Sequence, residues 1–266
     1  MAFVEWGAPD NPRVLICVHG LTRNGRDFDD LARAMASDYR VLCPDIVGRG
    51  RSGWLPAGTH YVVPQYVSDM MVLIARSGAE TVDWVGTSLG GLIGIAIASQ
   101  PLSPIGRLVL NDIGPELSAE SLHRIAQYLG LAPVFADRGQ AEQYIRMTGA
   151  SFGKLSDAQW RHLTDYSIRP HVGGGCELRY DPAIGSAFRS ALQKHDIELW
   201  PLWEAISVPT LVLRGAESDL LSVDTLERMK TSGPRPEVVE FAGVGHAPVL
   251  MDFEQIEPVR DFLLQV

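Results

Sequence analysis

The stretch "TVDWVGTSLGG" sets Ser88 between Gly86 and Gly90, after a short apolar run and before a long run of small residues. A serine hydroxyl is a poor nucleophile at neutral pH, so acyl chemistry there needs a base, and the base needs an orienting carboxylate. "VVEFAGVGHAPVLMD" supplies a base in His246, in a glycine-bearing loop just after the last apolar run. For the carboxylate, "LVLRGAESDLLS" offers Asp219 with Glu217 nearby, and "RLVLND" offers Asp112. The chain order Ser88, Asp219, His246 is that of one particular solution to the triad problem, and Glu217 and Asp112 stay open beside Asp219 at this point.

These residues need a scaffold that brings distant positions together. Apolar runs of strand length recur at Arg13 to His19, Tyr39 to Asp45, Thr81 to Gly86, Arg107 to Asp112, Pro209 to Gly215 and Glu237 to Gly243. Short runs without polar alternation suit strands buried on both faces, and helical patterns between them imply parallel crossovers. Candidate helices run from Phe28 to Ala36, Gln65 to Ser77, Leu89 to Ser99, Val223 to Thr231 and Phe253 to Leu264. The expectation is an α/β fold with a mostly parallel sheet of about seven or eight strands flanked by helices. In "GTSLG" a tight strand-to-helix turn would lift the Ser88 hydroxyl above the sheet edge, beside free N–H groups of a helix start.

The alternation breaks from about Glu116 to His195, where "SAESLHRIAQYLG" and "LSDAQWRHLTDYSI" read as helices and "HVGGGCELRYDP" as a loop. Ser156 with Gln159 forms a plausible capping box for the second helix. The domain expectation is a core of residues 1–115 and 196–266 with a helical cap inserted at 116–195. No internal repeat or low-complexity tract is visible.

Composition bounds the rest. The chain has 266 residues, 46% hydrophobic and 21% charged, enough for one sizeable core and without an apolar run of membrane-spanning length. "MAFVEWGAPD" lacks the basic start and apolar core of a signal peptide, so the expected location is cytoplasmic. Cys17, Cys43 and Cys176 are odd in number and lack metal-ligand spacing, which fits reduced thiols. A net charge of -9 without a basic cluster argues against nucleic acid or an anionic membrane surface as partner.

With "VLICVHGLTRN", "DIVGRGRS", "VGTSLGG", "RGAESDLLS" and "GVGHAP" in this order over nearly the whole chain, the sequence resembles the α/β-hydrolase superfamily. The resemblance implies Ser88 as nucleophile, His246 as general base and then acid, and Asp219 as orienting carboxylate, with Asp112 at the position some relatives use instead. It implies backbone N–H groups of Leu21 and Leu89 as the oxyanion hole, and gives His19 a structural role beneath the site. It implies a small carboxylic ester as substrate, hydrolysed through an acyl-enzyme, with no cofactor and no metal, by a monomer or homodimer. Lactone, thioester or carbon-carbon bond hydrolysis uses the same triad, and a non-catalytic ligand receptor is the reading from another class.

Two departures matter. Only "AFVEWG" precedes "VLICVHG" where relatives usually begin with a hairpin of two strands, so the expectation is either a sheet of seven strands rather than eight or a start that lies late, and serine rather than aspartate at position 88 disfavours dehalogenase and epoxide hydrolase chemistry. Asp45, Arg49, Arg51 and Ser52 read as a solvated turn and packing motif, and Arg23 and Asn24 as either the site mouth or plain surface. In the cap, Trp160, His162, Tyr166, His171 and Tyr180 are available to shape a pocket, although aromatics at helical spacing usually pack the cap onto the body.

Overall fold

In a computed structural model that describes residues 1–56 and 58–265, seven strands form one sheet. The first five are β1 (Phe3–Trp6), β2 (Val14–Val18), β3 (Arg40–Pro44), β4 (Val82–Thr87) and β5 (Ile105–Asn111). Five short strands follow: β6 (Glu116–Leu117), β7 (Val134–Phe135), β8 (Ile168–Pro170), β9 (Cys176–Leu178) and β10 (Ile197–Glu198). Last come β11 (Thr210–Gly215) and β12 (Glu237–Phe241), and the main sheet runs in the order β1-β3-β2-β4-β5-β11-β12. All its neighbours are parallel except the edge pair β1 and β3. A single leading strand covers that edge, which accounts for seven strands.

Helices α1 (Asp29–Met35), α2 (Val63–Ser77) and α3 (Leu89–Ala98) cross between the early strands. Strand β2 shows why the sheet needs helices on both faces. Leu15 and Cys17 pack into the apolar cluster on one face, while Ile16 and Val18 pack into that on the other, as period-two alternation requires. Cys17, Cys43 and Cys176 are buried free thiols.

Between β5 and β11 lie α4 (Ala119–Tyr128), α5 (Arg138–Thr148), α6 (Asp157–Ser167), α7 (Ala183–Ala191) and the short α8 (Trp200–Glu204). Ser118 caps α4, and Ser156 and Gln159 form the capping box of α6. The segment is not purely helical. Antiparallel pairing of β6 with β10 ties its two ends together, and β7, β9 and β8 make a small sheet. The run "HVGGGCELRYDP", expected as a loop, carries β9, hydrogen-bonded to β8 across a turn in which Gly174 and Gly175 have positive φ. Helices α9 (Val223–Thr231) and α10 (Phe253–Leu264) complete the chain at the predicted positions.

The register gathers the site. Thr87 of β4 and Leu213 of β11 both pair with Asn111 of β5, so Ser88 and Asp112 stand one residue beyond adjacent strand ends. That is the carboxyl edge of the sheet, where open α/β sheets place ligands.

Candidate active site

Ser88 occupies a turn with φ 51° and ψ -114°, a left-handed conformation that non-glycine residues seldom adopt. Its N–H donates to the Asn111 carbonyl at 3.0 Å and its carbonyl accepts from Gly91 and Leu92, so strand and helix grip the turn from both sides. The flanking glycines are required by contact. A Cβ at Gly86 would collide with the Gly90 carbonyl, and one at Gly90 with the Val18 carbonyl.

His246 faces this serine. Its Nε2 lies 3.0 Å from Ser88 Oγ, and its Nδ1 lies 2.7 Å from Asp112 Oδ2. With Nδ1–H directed at the carboxylate, the Nε2 lone pair is left to accept from the serine hydroxyl. Asp112 is wholly buried and well held: Gly215 N–H donates to Oδ1 at 2.9 Å and Ser218 Oγ–H donates to Oδ2 at 2.6 Å.

Asp219, the acid that the family resemblance implies, does not reach His246. Its half-exposed carboxylate pairs with Arg124 at 2.5 Å, on the far side of its loop. The loop after β11 turns Ser218 inward and Asp219 outward, so the alternative, Asp112, is the carboxylate in contact with His246. Glu217 likewise contributes only its backbone here, donating to the Val244 carbonyl at 2.9 Å.

Leu21 and Leu89 both flank the serine. Leu89 is the first residue of α3, so its N–H has no partner within the helix. A Cβ at Gly20 would sit 3.7 Å from Ser88 Cβ, which puts the Leu21 loop against the Ser88 turn. His19 aims that loop. Ile46 N–H donates to its Nε2 at 2.9 Å, so Nδ1 carries the hydrogen and donates to the Gly20 carbonyl at 2.7 Å. The Gly20 carbonyl and the Leu21 N–H belong to one planar peptide, so the imidazole fixes the direction of that N–H. Burial pushes the His19 pKa down to about 3, which keeps the ring neutral and Nε2 available to Ile46.

The motif around Asp45 is not a solvated turn. Asp45, Arg49 and Ser52 are buried, and only Arg51 is exposed. Asp45 accepts from Gly25 and Arg51 N–H, and Arg49 Nε donates to the Leu21 carbonyl at 2.9 Å, bracing the same loop as His19. Asn24 is buried and donates to the Tyr166 carbonyl at 3.0 Å, whereas Arg23 lines the cavity at Ser88.

That cavity has a volume of about 200 Å³ and lies between the sheet edge and the inserted segment. Of the five cap residues singled out in the sequence, only Tyr180 lines it. Trp160 stacks on Phe152 at 6.4 Å, His162 Nε2 lies 2.8 Å from the Arg26 carbonyl, Tyr166 lies beneath the Arg26 guanidinium, and His171 stays in the exposed β8–β9 turn. Tyr128, Tyr144 and Phe152 line the cavity instead. Sequence reasoning missed them, as it missed Ser218 and Asn111, whose amide donates to Thr87 Oγ1 and the Pro248 carbonyl and so ties the serine turn to the histidine loop. Their only signal is residue type: a polar side chain at or just after a strand end, or an aromatic in the segment between β5 and β11. Among the described residues no helix is long and apolar enough to cross a membrane, and no cluster of three metal-ligating side chains occurs.

Comparison with known proteins agrees with this architecture. A family model described as "Alpha/beta hydrolase family" matches residues 15–259. A 3-hydroxybutyrate-oligomer hydrolase of Cupriavidus necator is 49% identical, over 98% of this chain and 92% of its own length. An esterase of Mycobacterium tuberculosis is 27% identical over 90% of this chain and 78% of its own. A solved alpha/beta hydrolase from Novosphingobium aromaticivorans superposes with a TM-score of 0.88 at 36% identity, covering 99% of this chain and 93% of that one.

Proposed function

Because the chain belongs to the alpha/beta hydrolase family, and so is a hydrolase, we propose that it cleaves small carboxylic esters through an acyl-enzyme on Ser88. The observation that carries this reading is the chain of contacts Ser88 Oγ to His246 Nε2 at 3.0 Å and His246 Nδ1 to Asp112 Oδ2 at 2.7 Å, open to the cavity.

In this reading His246 Nε2 takes the hydroxyl proton as Ser88 Oγ attacks the ester carbonyl. The developing imidazolium is stabilised through Nδ1–H by Asp112, which stays ionised. Backbone N–H groups of Leu21 and Leu89 receive the oxyanion, and losing one such donor typically costs on the order of a hundredfold in rate. As the tetrahedral intermediate collapses, the C–O bond breaks and His246 returns its proton to the departing alkoxide. Water then attacks the acyl-enzyme with His246 again as base, releasing the acid and restoring Ser88. No step calls for a cofactor. Residues 116–195 act as the cap on a core formed by 1–115 and 196–266, and set which ester fits.

The cavity is smaller than the roughly 300–1,000 Å³ typical of drug-sized ligands, which favours short acyl and alcohol groups. The relative named for 3-hydroxybutyrate oligomers, at 49% identity, supports esters of short hydroxy acids within that limit. The test is the linear dimer of 3-hydroxybutyrate, with release of monomer followed for the wild type and Ser88→Ala. Release by the wild type alone supports the reading. A wild type that binds the dimer without cleaving it indicates a receptor.

A further inference from the structure

We propose that Arg23, clamped by Asp27 and Ser167, docks the free carboxylate of a hydroxy-acid ester and so selects acid-terminated substrates; this rests on the ester-hydrolase reading above. Among the described residues lining the cavity, Arg23 and Asp27 carry the only charges apart from the titratable His246. Most of the remaining wall is apolar side chain, hydroxyl or backbone. A few fixed polar groups in such a site orient the ligand.

The guanidinium has donors to spare. Its Nε and Nη2 donate to Asp27 at 2.7 Å each, and Nη1 donates to Ser167 Oγ at 2.7 Å. Arginine carries five N–H donors, so two remain for a ligand. Ser167 spends its own proton on the Leu163 carbonyl at 2.6 Å, so its part is to hold the arginine from α6. Clamped from two segments, the partly buried fork loses little freedom when a carboxylate arrives.

Position matches the chemistry. A Cβ at Gly20 would lie 3.7 Å from Ser88 Cβ and 3.9 Å from Arg23 Cγ, so both side chains lie against one glycine. In an ester of a β-hydroxy acid, only the ester oxygen, a carbinol carbon and a methylene separate the scissile carbonyl from the carboxylate. With that carbonyl at Ser88, the acid end falls within the span of an arginine side chain. Asp27 pairs with the arginine and so weakens its pull on an anion.

The experiment compares kcat/KM for the 3-hydroxybutyrate dimer as free acid and as methyl ester, in wild type, Arg23→Gln and Asp27→Asn, with Tm recorded for each. The expected wild-type preference for the acid is about tenfold or more, the scale of a charge-assisted hydrogen bond. It should fall to about one in Arg23→Gln and rise in Asp27→Asn; if Arg23→Gln does not fold, the rise in Asp27→Asn decides. Equal use of both esters by the wild type, or an unchanged ratio in the variants, overturns the inference while the hydrolase reading stands. Failure of the wild type to cleave either ester overturns both.

Discussion

His246 Nδ1 lies 2.7 Å from Asp112 Oδ2 although 134 positions separate the two residues in the chain. The contact depends on β5 ending between β4 and β11, so the residue after Asn111 emerges beside Ser88 and beneath the histidine loop. It makes the choice between two aspartates measurable. Asp112→Asn removes the charge that orients His246 and should lower kcat by about 10⁴, whereas Asp219→Asn, at an exposed pair with Arg124, should leave ester turnover within a few-fold of wild type. Steady-state kinetics on one short ester decides it.

Ser218 donates to the Asp112 carboxylate from a buried position. Ser218→Ala leaves Asp112 with Gly215 N–H and His246, and should lower kcat by about tenfold, the scale of one hydrogen bond to a charged group. A fall as deep as that of Asp112→Asn would mean that the carboxylate had moved.

Much of this site is readable in the sequence because backbone needs fix it. Ser88 is identified by the glycines at 86 and 90, which the contact of β4, α3 and β2 demands, and His246 by the end of the last apolar run. The acid is not readable in the same way. Asp112 and Asp219 both follow strands, and only the turn of one loop decides which carboxylate faces inward. Tyr128 and Tyr144 were missed because the face that a helix of the inserted segment offers to the cavity depends on packing over the sheet. Strands of two or three residues, such as β7 and β9, are too short to show any period.

Gly90 gives a stability test whose sign is informative. In a helix, Gly→Ala normally stabilises by about 0.4–1 kcal/mol. At Gly90 the added methyl meets the Val18 carbonyl, so Gly90→Ala should destabilise by about 1–3 kcal/mol in urea titration. Stabilisation would show that strand and helix are not in contact there.

The neutral His19 couples folding to pH. Its pKa is about 3 in the fold against an ordinary 6.5, so the unfolded chain binds the extra proton first as pH falls. The stability it supports is whole above about 6.5 and is lost between 6.5 and 3, at up to about 1.4 kcal/mol per pH unit. Urea titrations across that window should show a shallower loss in His19→Gln than in the wild type.

The claim on which the rest depends is that Ser88 is the nucleophile. Reaction with a fluorophosphonate, followed by peptide mapping by mass spectrometry, reads it directly. The expected result is one adduct, on Ser88, forming in step with loss of ester turnover, and no adduct in Ser88→Ala. Turnover that persists in Ser88→Ala, or an adduct on another residue with Ser88 unmodified, would contradict it.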